Sequence, residues 1–153
     1  MAVSDRSLAL PLWIALSRAH AVVEEAARRH AADHDLTLAE FGVLEALHHG
    51  GPMYLGELGR KILVSSGGIT YLVDQLEERG LVRRKPCPED RRAVRALLTP
   101  EGEELISSIF PEHARVIRRA LSCLDRPTAK ATLRSLRRVV RAAEQADRDA
   151  GAP

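Results

Sequence analysis

Apolar residues return every third or fourth position over most of the chain, the spacing that gathers side chains on one face of an α-helix. Leu8, Leu12, Leu16, Ala19, Val23 and Ala26 make the first such stripe. With Pro11 acceptable as an early helical residue, it predicts a helix from about position 11 to Arg29 or Asp33. Thr37-Leu38-Ala39-Glu40 is a capping box, in which the threonine and the glutamate can each satisfy a free backbone amide. It opens a helix through Phe41, Leu44 and Leu47 that stops at Gly50-Gly51-Pro52. Leu55 to Ile62 is long enough for two helical turns, and Val64-Ser65-Ser66 offers hydroxyl caps to the next helix. That helix carries Ile69, Leu72, Val73 and Leu76 on one face and ends at Gly80.

The period then changes from helical to alternating. Leu81 to Lys85 reads as a strand, Pro86 to Arg91 as a turn, and Ala93 to Leu98 as the return strand, since Val94, Ala96 and Leu98 alternate with Arg95 and Leu97. A two-stranded hairpin is expected. Thr99-Pro100-Glu101 starts a long helix with a hydroxyl cap, a proline where no amide is missed and an acid near the positive helix end. Leu105, Ile109, Val116, Ala120 and Leu124 carry it, and Pro111 is expected to bend it. After Asp125-Arg126-Pro127, a last helix lines up Leu133, Leu136, Val140 and Ala143.

Composition narrows the class. The 153 residues are 45% hydrophobic but only 3% aromatic, which favours aliphatic helix packing over a large β-sandwich. The formal net charge is only +2, yet Lys and Arg crowd residues 79–95, where Glu89 and Asp90 are the sole acids. Cys87 and Cys123 cannot by themselves make a disulfide framework or a Cys-rich zinc site, which fits a reducing cytoplasm. Leu8–Leu16 followed by Ala19-His20-Ala21 has the outline of a secretory signal, but Asp5 beside Arg6, the intervening Arg18 and the helical stripe running past it favour a helix. No run reaches transmembrane length, so no membrane partner is expected.

Two short helices, a tight turn and a β-hairpin make the order helix, turn, helix, wing, with basic residues at the second helix's exit and on the wing. A helix that reads DNA needs small polar residues near its N-terminus, so that backbone can approach phosphate and hydroxyls can reach base edges. Ser65, Ser66, Gly67, Gly68 and Thr70 supply them. A wing needs a slim cation for a narrow groove of negative potential, and Arg91 and Arg92 qualify.

GELGRKILVSSGGITYLVDQLEERGLVRR (56–84) followed by EDRRAVRALLTPEG resembles the MarR family of winged-helix regulators, and the similarity covers nearly the whole chain. The most specific part is Asp-x-Arg followed by Leu-Thr-x-x-Gly, matched by Asp90, Arg92, Leu98, Thr99 and Gly102. The resemblance implies a mainly α fold with a small hairpin wing. It also implies the divisions 1–36 (N-terminal dimerisation helix), 37–99 (DNA-binding winged helix-turn-helix), 100–148 (C-terminal dimerisation helices) and 149–153 (tail). Arg92 would enter the minor groove, Asp90 would orient it, and the helix from about Ser66 to Arg79 would lie in the major groove. Arg84, on the strand that feeds the wing, joins the expected DNA-binding set. The implied protein is a cytoplasmic homodimer on a pseudo-palindromic operator, a repressor released by a small aromatic or phenolic effector. Departures exist. Tyr71 and Gln75 stand where members often carry arginine, Gly59 replaces the usual alanine, and the first helix lacks the cysteine of the peroxide-sensing branch.

Other residues admit competing roles. Trp13, Leu16, His20, Phe41, Leu44 and Phe110 are simple core or, on the resemblance, walls of an effector pocket with His20 or Tyr54 as polar anchor. His30 and His34, beside Asp33 and Asp35, have i, i+4 metal spacing, but no third ligand is evident and a helix end is the expected role. Cys87, among basic wing residues, is expected to be an exposed thiol, with redox or electrophile sensing as the alternative. Arg134, Arg137, Arg138 and Arg141 suit a solvated or dimer-rim face. There is no nucleophile motif, phosphate loop or paired carboxylate cleft, so neither an enzyme nor a cofactor is expected. A ligand-blind architectural or protein-binding winged helix remains compatible with the charge pattern.

Overall fold

The computed structural model describes residues 6–88, 90 and 93–150. The elements are α1 (Arg6–Ala32), α2 (Leu38–Gly50), β1 (Met53–Tyr54), α3 (Leu55–Lys61), α4 (Ser66–Glu78), β2 (Val82–Pro86), β3 (Val94–Leu98), α5 (Pro100–Ala120) and α6 (Arg126–Ala150). The chain forms two compact units that divide inside α5, between Ile117 and Arg118.

Helix α1 begins before Pro11, which lies inside it. A proline in the second turn forfeits one intrahelical hydrogen bond next to an end whose first amides have none anyway. The helix closes with Asp35 in the left-handed region (φ 57°), where the Leu36 amide donates to the Ala31 carbonyl at 3.1 Å and that of Asp35 to Ala32 at 3.0 Å. Its C-terminal part is buried through Ala27 and Ala31, whereas Leu10, Leu12 and Trp13 are exposed.

The capping box forms as expected: Thr37 Oγ1 accepts from the Glu40 amide at 3.1 Å, and Glu40 Oε2 accepts from the Thr37 amide at 2.7 Å. From there α2 carries Phe41, Val43 and Leu44 into a core shared with Leu58 of α3, Ile69, Val73 and Leu76 of α4, Val82 of β2 and Ile106 of α5, all essentially inaccessible to solvent. Gly59 has a packing reason. A Cβ there would lie 3.3 Å from both Ile69 Cγ2 and the Val64 carbonyl, so glycine lets α3 pass close to α4.

The hairpin expected from the sequence is instead part of a three-stranded antiparallel sheet, order β1-β3-β2. Met53 pairs with Ala96 and Tyr54 with Arg95 on one side of β3, and Val82 pairs with Leu98 through to Pro86 with Val94 on the other. Gly80, at φ 70°, ends α4. Thr99 then ties this corner together, its hydroxyl donating to the Gly80 carbonyl at 2.6 Å and accepting from the Gly102 amide at 3.0 Å. A Cβ on Gly102 would fall 2.0 Å from the Leu81 carbonyl oxygen, so the Leu-Thr-x-x-Gly pattern is a packing requirement where α5 leaves the sheet. Pro111 lies inside α5, which continues to Ala120.

In the second unit, Asp125 caps α6 by accepting from the Thr128 amide at 2.9 Å. The hydrogen bonds to Thr128 hold its carboxyl below the usual carboxylate range. Leu133, Leu136, Val139 and Val140 are exposed along α6, as are Arg134, Arg137, Arg138 and Arg141. Among the described residues no helix is long and apolar enough to cross a membrane.

Candidate nucleic-acid interface

The start of α4 is built to be approached. Ser65 Oγ accepts from the Gly68 amide at 3.1 Å, which closes the cap, and Thr70 Oγ1 donates back to the Ser66 carbonyl at 2.9 Å. Ser66 and Gly67 are exposed, and a Cβ on Gly67 would meet nothing within 4 Å. No neighbour among the described residues requires a glycine there. Its absent side chain leaves the helix N-terminus, with its unpaired amides and positive dipole end, open to an anion. Thr70 and Tyr71 continue this exposed face, and Gln75 is half-buried beside it.

Further along, α4 turns acidic. Asp74, Glu77 and Glu78 are exposed on it, which would repel phosphate. Arg84 answers this locally. Its guanidinium lies 2.6 Å from Asp74, forms an ion pair with Glu77 and donates to the Thr70 carbonyl at 3.3 Å, while its backbone amide donates to Glu77 at 3.0 Å. Burial disfavours the charged guanidinium, but the hydrogen bonds and charges of the two carboxylates outweigh it and raise its pKa. Arg84, expected among the DNA-binding residues, thus clamps α4 to β2.

The sheet adds cations that the sequence reasoning did not single out. Arg83 and Lys85, two apart on β2, share one face, and Arg95 lies opposite Lys85 on β3; all three are exposed. Strand alternation was the signal that could have found them. Arg95 stacks 4.7 Å above the Tyr54 ring and donates to its hydroxyl at 3.0 Å. Asp90 is exposed in the turn, its carbonyl accepting from the Ala93 amide at 3.0 Å. Arg91 and Arg92, the expected groove-entering cations, lie outside the described residues.

Cys87 is not the exposed thiol expected. It is 8% exposed, with Sγ 3.6 Å from the Tyr54 hydroxyl, because the β1 strand missed in the sequence brings Tyr54 across the wing. Tyr54 therefore packs on the wing, and it does not line the larger cavity of the first unit. Cys123 is exposed.

A cavity of about 820 Å³ opens in the first unit, lined by His20, Phe41, His49, Leu63 and His113 among others. Of the expected pocket residues, His20 and Phe41 line it. Leu44 is wholly buried in the core, Phe110 packs edge-on against His49 at 4.6 Å, and Trp13 and Leu16 are exposed on α1 and do not line it. His113 stacks on Phe41 with ring centres 4.0 Å apart. Behind it His30 turns inward rather than capping a helix end, its Nδ1 3.2 Å from His113 Nδ1. One ring donates and the other accepts, an arrangement that two protonated rings could not make. Burial, and then the neighbouring His34, lower the His30 pKa; burial, and then His30, lower that of His113.

The family model described as MarR family matches residues 34–93. The HTH-type transcriptional regulator MhqR of Bacillus subtilis (strain 168) is 42% identical over 130 residues, 85% of this chain and 90% of that protein. Among solved structures, Streptomyces coelicolor Sco3205, a MarR family transcriptional regulator in complex with DNA, superposes with a TM-score of 0.78 at 26% identity, covering 88% of this chain and 86% of that one. Bordetella bronchiseptica BpsR, whose DNA binding is regulated by 6-hydroxynicotinic acid, superposes at 0.77 with 25% identity, covering 85% and 98%.

Proposed function

Because this chain belongs to the MarR family of transcriptional regulators, we propose that it is a homodimeric repressor that reads a pseudo-palindromic operator through α4 and the wing, and that a small aromatic or phenolic molecule releases it. The chain is a DNA-binding regulator and not an enzyme. The observation that carries the docking is the open N-terminus of α4, where Ser66, Gly67 and Thr70 present backbone amides and hydroxyls, and the wing adds Arg83, Lys85 and Arg95 on the sheet face that alternates away from Arg84. Ser65 and Gly68 shape this turn, and Tyr71 and Gln75 extend the reading face toward base edges. Asp90 with Arg91 and Arg92 would form the minor-groove probe, as the resemblance implies.

Dimerisation is supported by the exposed apolar residues of α1 and, separately, of α6, which a second copy would cover. Two reading helices would then address half-sites about one turn of DNA apart. The effector reading is supported by the cavity lining, where Phe41, Ile62, Leu63 and Val64 supply apolar contacts and His20 and His49 offer polar anchors. A gel shift on the DNA upstream of its own gene, with and without a panel of phenols and aromatic acids, tests both parts. Retarded DNA that the panel releases, with a coupling of about 1–3 kcal/mol, is the expected result.

A thiol-based reading is the alternative. Cys87 lines a cleft of about 370 Å³ with Pro52, Pro86 and Leu97, flanked by Lys85 and Arg95. Release of DNA by oxidants or electrophiles, with the aromatic panel inert, would favour it over the cavity.

A further inference from the structure

Leu63 carries two unfavourable features at once. It lies in the turn between α3 and α4 at φ 61°, the left-handed region where an ordinary Cβ crowds the following carbonyl. Its side chain is also 91% exposed, more than any other large apolar side chain among the described residues. Glycine or asparagine at this position would remove both penalties. The isolated chain gains little from a leucine there, so the compensation has to come from something that binds.

The location says what. Leu63 lines the 820 Å³ cavity with Ile62 and Val64, as do Phe41 and His113. It also stands two residues before Ser65, the cap of α4. The turn is rigidly joined to both helices. The Val64 amide donates to the Gly59 carbonyl at 2.9 Å, and Gly59 itself sits so close to Ile69 of α4 that a Cβ would be only 3.3 Å from its Cγ2. A force on the Leu63 side chain therefore moves α3, the turn and the start of α4 together.

We propose that Leu63 is a ligand-contacting residue of this cavity, closing over the apolar body of a bound small aromatic molecule, and that this contact transmits occupancy to the DNA-reading end of α4. The proposal rests on the cavity being the effector site. Burial of a leucine side chain corresponds to roughly ten-fold or more in affinity, so Leu63 controls both how tightly the molecule binds and how strongly it acts on DNA.

The test uses 1-naphthol, a flat apolar ring system with one hydroxyl, titrated into the full-length protein while the imidazole proton signals of His49 and His113 are followed by NMR. The variants are Leu63→Gly, Leu63→Asn and Leu63→Met. The first two fit the turn without the apolar group, and the third keeps apolar bulk. The expected result is that wild type and L63M bind alike, that L63G and L63N bind about ten-fold more weakly, and that the ratio of DNA affinities with and without 1-naphthol falls toward one in those two variants. Equal 1-naphthol affinity across all four proteins overturns the role of Leu63 and leaves the cavity as the effector site. Histidine signals that do not move in wild type overturn the cavity reading, and this inference with it.

Discussion

Arg84 separates two ways in which an arginine can matter to a DNA-binding protein. If it touches phosphate, its removal deletes one contact; if it restrains Asp74 and Glu77, its removal frees both carboxylates and raises their uncompensated charge from one negative unit to two. In Arg84→Met the aliphatic bulk remains and the ion pairs at 2.6 Å and 2.5 Å are lost. The Arg84 side chain is 24% exposed, against 50% for Asp74 and 39% for Glu77. The stability cost should therefore fall between that of an exposed pair and a buried one, about 1–2 kcal/mol. For DNA, a unit charge about 10 Å from a phosphate contributes about 0.4 kcal/mol in water before screening. The one added unit of negative charge, felt by several phosphates, should weaken binding by about 1 kcal/mol. The assay is fluorescence anisotropy on the upstream DNA at several salt concentrations, with R84M measured both in the native background and in Asp74→Asn/Glu77→Gln. The clamp predicts that the effect of R84M largely vanishes in the neutralised background while the salt slope stays the same. An equal loss in both backgrounds, with the slope reduced by about one charge, would refute the clamp in favour of a phosphate contact.

Three further outcomes are expected. Since the His30 and His113 pKa values lie below the ordinary histidine value in the folded state, the unfolded chain takes up more protons in mild acid. Their contribution to stability is thus complete above about pH 6.5 and declines as pH falls toward the folded-state values. Thermal unfolding from pH 7.5 to 5 should show this decline, and a smaller one in His113→Gln. Gly102→Ala should lose about 1–3 kcal/mol in urea unfolding, because the new methyl meets the Leu81 carbonyl backbone, which cannot swing aside. Arg92→Ala should weaken operator binding by about 1–3 kcal/mol with the thermal unfolding midpoint unchanged, as measured by anisotropy and circular dichroism.

Local chemistry was legible in the sequence where a cap or a turn dictates it. The Thr37/Glu40 box, the Ser65 cap, the Gly80 terminus and the Thr99-Pro100 start all form where their side chains predict, because each is decided within four or five residues. The two-residue strand β1 was not legible, since Met53-Tyr54 is too short to show alternation and exists only because β3 has a free edge to pair with. Without β1 the sequence offers no reason for Tyr54 to reach the wing or for Cys87 beside it to be buried. The His30–His113 pair joins residues 83 apart, and no local pattern announces it. Arg84 was read by its charge, whereas its partners lie seven and ten residues away on a neighbouring helix. The left-handed Leu63 ran against expectation for the opposite reason. A residue that violates the local preference of its turn gives no signal until its dihedral angle is seen.

The claim that this chain reads DNA as a dimer through α4 and the wing is tested by hydroxyl-radical footprinting of the DNA upstream of its own gene, using wild type and Gly67→Glu. Gly67 faces open space, so the new carboxylate leaves the core untouched while placing a negative charge at the helix end where phosphate would approach. The account predicts two protected half-sites about one helical turn apart for wild type and none for G67E. A footprint that G67E leaves intact, or a single protected site occupied by one chain, would contradict it.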